Sequence, residues 1–221
     1  MEAQVERKVL VGLHRPHKLG PTISFSGPTG SGKTALSLET AQLLRARGWK
    51  VRLFKSYPLA FHSREPLVDR RDDSSSAFVR APLTYRSNFF LRLFARVIFV
   101  AELLLVQMSV RAYRGVGVAL IFDRYAYDAL VQLRASGMCG DTFVKWLTRL
   151  IPVPDAPFFL RIKPETGHKR RPDYSVEEFF SANSVYEQIA QKVRFWVVDT
   201  ENEKRAREEV RGIIAHIERE W

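Results

Sequence analysis

A single cysteine, Cys139, stands in 221 residues. No disulfide can close within the chain, so the stapled framework of small secreted domains is excluded and a reducing, cytoplasmic setting is expected. Histidines number only 5. His14 and His17 form an isolated H-x-x-H, and His62, His168 and His216 are scattered, so a zinc site built from side chains alone is not expected. Long uncharged apolar runs are also missing. The most apolar stretch, VIFVAELLLVQMSV at 97–110, is too short for a bilayer and contains Glu102. Extending it back to Phe89 adds Arg92 and Arg96, which are costly in hydrocarbon, so no transmembrane segment is expected. The opening MEAQVERKVLVGLHRPHKLG lacks the small-residue cleavage site of a secretory signal.

Acidic residues are the other deficit. Against 35 Lys and Arg there are 24 Asp and Glu, a net charge of +11, which favours anionic partners such as phosphorylated small molecules, nucleic acid or lipid headgroups. With 46% apolar residues, the chain can bury a sizeable core, and its length suits one α/β domain rather than two. Residues 1–20 read as an N-terminal extension to that domain.

What is present alternates. Short β-rich runs at 22–26, 51–55, 118–123, 158–162 and 195–199 are nearly all apolar, as strands buried on both faces are. Helical periodicity separates them at 33–47, 85–114, 176–192 and 203–220. This order predicts an α/β fold with a parallel sheet between helix layers. Residues 57–82, rich in Pro, Ser, Arg and Asp, are expected to form a long acceptor-side or flexible loop.

The stretch SFSGPTGSGKTAL at 24–36 carries the chemistry. Gly27, Gly30, Gly32, Lys33 and Thr34 satisfy G-x-x-x-x-G-K-[ST], with a strand before and a helix after, as a phosphate-binding loop requires. The glycines and Ser31 let backbone N–H groups wrap phosphate oxygens, while the helix that follows directs its positive end at the same anion. Lys33 is expected on the β and γ phosphates of ATP, and the Thr34 hydroxyl on Mg2+. A second magnesium contact is commonly a carboxylate at a neighbouring strand end, and Asp123 closes the run VALIFD.

Three segments in order then resemble the thymidylate kinase-like family of nucleoside and nucleotide kinases. Asp123-Arg124-Tyr125 resembles its Asp-Arg-Tyr/His motif. Lys163-Pro164-Glu165 with Arg170 resembles its lid segment, here 163–175, and Tyr186-Glu-Gln-Ile-Ala before a strand ending Asp199-Thr200 resembles its last helix and adenine-side loop. The resemblance spans roughly residues 20 to 218 and implies a three-layer P-loop fold with a five-stranded parallel sheet, and transfer of a phosphoryl group from ATP to a small acceptor. It further implies that Asp123 organises the magnesium, that Arg124 binds the acceptor or stabilises charge between donor and acceptor, and that Arg170 and Arg171 close over the transferring group.

The chain departs from that family where the acceptor is read. Leu103 lies near the position of the expected base-reading arginine on the long helix, Arg64-Glu65-Pro66 comes several residues late, and Asp128 replaces a usual Ser. The acceptor is thus expected to be a nucleoside monophosphate or a related small molecule, dTMP being disfavoured, with Arg64, Glu65, Arg124, Tyr127 and Asp128 as candidate contacts. A hydroxyl acceptor such as a sugar would need a carboxylate base, for which Asp123, Asp128 and Glu65 are the candidates. GPTGSGKTAL also resembles the opening of the tRNA isopentenyltransferases, although their Asp-Ser-x-Gln motif is absent, and no stable nucleic-acid partner is expected. A nucleotide-binding module without turnover is a further alternative. The helix at 85–114 is apolar on more than one face, which predicts burial against the sheet together with a second subunit, or a fully internal helix.

Overall fold

The computed structural model describes residues 19–55, 89–135 and 139–219. Five strands form one sheet in the order β2-β3-β1-β4-β5, every neighbouring pair parallel. They are β1 (Thr22–Ser26), β2 (Lys50–Phe54), β3 (Val118–Asp123), β4 (Ala156–Arg161) and β5 (Trp196–Asp199). The helices among the described residues are α1 (Lys33–Ala46), α2 (Phe89–Gly115), α3 (Ala126–Ala135), α4 (Asp141–Leu150), α5 (Pro164–Arg170), α6 (Val176–Ala190) and α7 (Glu203–Ile217). The expected three-layer P-loop fold is the observed one.

Alternate residues of each strand serve opposite layers, as the two-residue period of a strand requires. Ile23, Phe25, Phe158 and Val198 join Leu36, Leu44 and Ile214 in a core with α1 and α7. Leu120, Phe122 and Phe159 join Leu103, Leu130, Leu147 and Ile189 in a second core with α2, α3, α4 and α6. Phe25 and Phe158 stack across β1 and β4 at 5.0 Å, and burying each such ring contributes about 2–3 kcal/mol.

Two features differ from what periodicity predicts. The stretch between Asp123 and β4 carries α3 and α4, short helices that the alternation of strands and longer helices does not mark. Helix α2 is not internal: Leu103, Val106 and Val110 are buried, whereas Phe90, Val97, Leu104, Leu105 and Met108 are exposed. Its density of apolar residues exceeds what one buried face uses. No described helix is long and apolar enough to cross a membrane.

The topology fixes where a site can form. From the central strand β1 the chain first runs outward to β2 and β3 on one side, and later to β4 and β5 on the other. The switch therefore lies at the carboxyl ends of β1, β3 and β4, where open parallel sheets hold ligands.

Candidate active site

Gly27, the first residue past β1, has φ 151°. A Cβ there would stand 2.5 Å from the Leu160 carbonyl oxygen, so the loop can pass this close to β4 only as glycine. Gly30 and Gly32 are left-handed as well, at φ 80° and 84°, which turns the loop back into the start of α1.

Lys33 opens α1 and folds into its own loop. Its buried Nζ donates to the carbonyls of Gly27 and Pro28, at 2.7 Å each, and lies 3.4 Å from Ser31 Oγ. Burial, then the charge of Arg124, lowers the Lys33 amine to about 7, against the opposing pull of Asp128 and Asp123. The Thr34 hydroxyl donates to Asp123 Oδ2 at 2.6 Å. Asp123 is 4% exposed, and burial raises its carboxyl pKa despite the Thr34 hydrogen bond and the nearby Lys33 and Arg124 charges. The pairing follows from register, since Asp123 stands beside Phe25 on β1.

Arg124 is the only non-glycine with positive φ among the described residues, at 82°. Such a conformation costs on the order of 1–3 kcal/mol and persists where the surroundings enforce it. Here its N–H is held by the Phe25 carbonyl at 3.1 Å, which brings the residue after Asp123 to the rim of the phosphate loop.

Helix α5 packs on that loop. Arg170 donates to the Gly30 carbonyl at 3.2 Å and to the Thr200 carbonyl at 3.1 Å, joining phosphate loop, α5 and the loop after β5. Arg171 also lies against Gly30, its Cγ 3.3 Å from where a Cβ would project, and it reaches Asp173 at 3.3 Å. The base of the lid is tied down by Glu201, whose two oxygens accept from the Lys163 N–H and the Thr166 hydroxyl at 2.8 Å each. Thr200 is buried, with its hydroxyl and N–H donating to the Arg161 carbonyl at 3.0 Å each. Asp199 pairs with Arg161 at 3.7 Å, accepts from the Glu201 N–H at 2.9 Å and lines a groove of about 410 Å3 with Lys163, Phe180 and Asn183.

Thus Gly27, Gly30, Ser31, Gly32, Lys33, Thr34, Asp123, Arg124, Arg170, Arg171 and Thr200 converge on one rim. Tyr127 is fully buried, its ring between Tyr125 at 5.4 Å and Phe195 at 5.1 Å. Asp128 lies behind Gly27, accepting from its N–H at 3.3 Å, from the Tyr186 hydroxyl at 2.8 Å and from the Tyr125 N–H at 2.9 Å. Arg64 and Glu65, with the rest of the segment at 57–82, lie outside the described residues. Sequence reasoning does not single out Glu201 or the side chain of Tyr186 as part of the site. Each acts through a partner far along the chain, so no local spacing marks it.

Two solved structures of deoxyadenosine kinase from M. mycoides share this architecture, one with the products dCMP and a flexible dCDP bound, the other with dCTP. Each matches with TM-score 0.50, over 89% of this chain and 98% of its own, at 15% and 16% identity respectively. The chain shares the P-loop fold of these two structures. At such identity the likeness is one of fold, and function has to be argued from the site. No family model and no curated protein matches the sequence.

Proposed function

We propose that the protein is an ATP- and magnesium-dependent phosphotransferase that carries the γ-phosphoryl group to a nucleoside monophosphate or a related small acceptor. The observation that carries this reading is Arg170, whose guanidinium spans from Gly30 of the phosphate loop to Thr200. A loop that only stores a nucleotide has little use for a planar, multi-donor cation held over it. Phosphoryl transfer spreads charge over equatorial oxygens and does need one.

The remaining roles follow from chemistry. Lys33 exchanges its two carbonyl partners for phosphate oxygens. Thr34 and Asp123 present adjacent hard oxygen donors of the kind that suits Mg2+. They would hold the ion, whose chemistry is to neutralise charge on the nucleotide phosphates. Arg124, whose charge acts on Lys33, is the cation this reading assigns to the acceptor's anionic end. Among the described carboxylates near the loop, Asp128 has both oxygens engaged by donors and Asp123, which accepts from Thr34, would be taken up by the ion, so this reading gives neither the role of base. That favours an acceptor that is already anionic. The deoxyadenosine kinases of the same fold favour the second reading, a deoxynucleoside acceptor, in which Glu65 is the remaining candidate base.

The test is transfer of labelled γ-phosphate from ATP with Mg2+ into a panel of monophosphates including dTMP, deoxynucleosides and sugars. Label is expected on a nucleotide or nucleoside acceptor, reduced about 100-fold or more by Lys33→Ala, since preorganised charge stabilisation on this scale is the main source of catalysis. ATP binding without label on any acceptor would overturn the proposal.

A further inference from the structure

The first glycine of the phosphate loop is gripped from behind on both its polar groups. Its N–H donates to Asp128 Oδ1 at 3.3 Å. Its carbonyl accepts from Lys33 Nζ at 2.7 Å and from the Tyr186 hydroxyl at 3.0 Å. The same hydroxyl stands 2.8 Å from Asp128 Oδ1, and the other carboxylate oxygen accepts from the Tyr125 N–H at 2.9 Å. Asp128 and Tyr186 are only 3% and 4% exposed. Burial, with the Asp128 charge second, holds the Tyr186 phenol well above its ordinary pKa, so it remains an O–H donor.

Three elements therefore meet at one residue, Gly27: the start of α1 through Lys33, helix α3 through Asp128 and helix α6 through Tyr186. Gly27 has no side chain, and its φ leaves the loop's entry angle undetermined by local sterics. Something must hold it, and the carboxylate does so at a point where an N–H without a partner would be buried. Asp128 engages Gly27 at the start of the loop, whereas Arg170 bridges Gly30 and Thr200.

We infer that Asp128, through Tyr186 and the Gly27 N–H, is a positioning residue that presets the phosphate loop for an anion, rather than a contact to the acceptor. The inference rests on the reading of this loop as a nucleotide site but not on phosphoryl transfer. A carboxylate that accepts from a backbone N–H, a phenol and a second N–H is worth more than a neutral acceptor in its place, because bonds to a charged group are the stronger ones.

The test is binding of ATP, and separately of inorganic pyrophosphate, to the full chain carrying Asp128→Asn, Tyr186→Phe or both, followed by calorimetry, with the amide resonance of Gly27 recorded for each. Asp128→Asn is expected to weaken both probes about 10- to 100-fold and Tyr186→Phe about tenfold. The double variant should fall short of the product of the two, because they share one network. The Gly27 resonance should move in each variant. Val131→Ala, buried on the same helix, serves as a stability control that lowers Tm and leaves both affinities and the Gly27 resonance in place. Affinities equal to wild type in the first two variants, or losses no larger than in Val131→Ala, would overturn the inference. A wild-type chain that binds neither probe would sink the nucleotide reading and this inference together. Normal binding losses in a chain that transfers no phosphate would sink only the proposed activity.

Discussion

Lys33 shows how one residue stores a binding event. In the described state its Nζ is satisfied by Gly27 and Pro28, and burial brings its pKa to about 7, so above that pH the ligand-free amine is mostly neutral. An arriving phosphate anion favours the charged form and raises the pKa again. Binding of metal-free pyrophosphate is therefore expected to take up a proton at pH 8, approaching one per site, and less at pH 6, where the amine already holds it. Calorimetry in two buffers of different ionisation enthalpy measures this uptake directly. Proton uptake at pH 8 equal to that of Lys33→Met, the control for the proton that pyrophosphate itself carries, would show that Lys33 is charged before the anion arrives. The residue scale also explains Arg124: its strained backbone is tolerated because the Phe25 carbonyl holds the N–H, and its charge then acts on the Lys33 amine.

At the scale of elements, α5 is positioned by packing on α6 as well as by its polar ties to Glu201. Helix α5 starts with Pro164 at its first position, which suits a helix start. Helix α6 begins with a capping box between Ser175 and Glu178, worth about 1 kcal/mol. Between them Gly167 lets α5 sit directly on Phe179, where an added Cβ would come within 2.6 Å of the ring. Gly167→Ala must push α5 off α6, and with it the Arg170 bridge between Gly30 and Thr200. Phosphoryl transfer is expected to fall about tenfold or more with nucleotide affinity changed much less, since a misplacement of about 1 Å costs rate in this range. The measurement is kcat against Kd for ATP in the same variant. An unchanged kcat would mean that Arg170 keeps its bridge between Gly30 and Thr200 without this contact.

At the scale of the whole molecule, the excess of cations is a long-range feature and the site a short-range one. A net charge of +11 speeds the approach of an anionic nucleotide and does so less as salt rises. The association rate for ATP is expected to fall on the order of tenfold between about 0.05 M and about 0.5 M salt, as the screening length shrinks below the distance to most surface charges. Stopped-flow traces at both concentrations check this; a flat profile would place the excess charge away from the approach to the loop.

The fold and the glycine-rich loop after β1 were legible along the chain because their determinants are local. Apolar runs bounded by turns mark the five strands to within two residues or so, and the spacing of Gly27, Gly30, Gly32, Lys33 and Thr34 is a property of consecutive residues. Helices α3 and α4 were not legible, because their short periodicity is shared with any partly buried segment. The exposed outer face of α2 was not legible either: apolar content records what a helix can bury, and only neighbours decide what it does bury.

By itself, then, the sequence determined the strand order's raw material, the phosphate loop and the carboxylate at the end of β3. The tertiary structure alone decided that Asp128 turns to the back of Gly27 across 101 residues, that Tyr186 joins it across 58 and that Glu201 anchors the lid across 38. The physical reason is that a hydrogen bond needs about 3 Å and good alignment, and no pattern of neighbouring residues specifies a distance between strands, turns and helices that meet only when the sheet has closed its two cores.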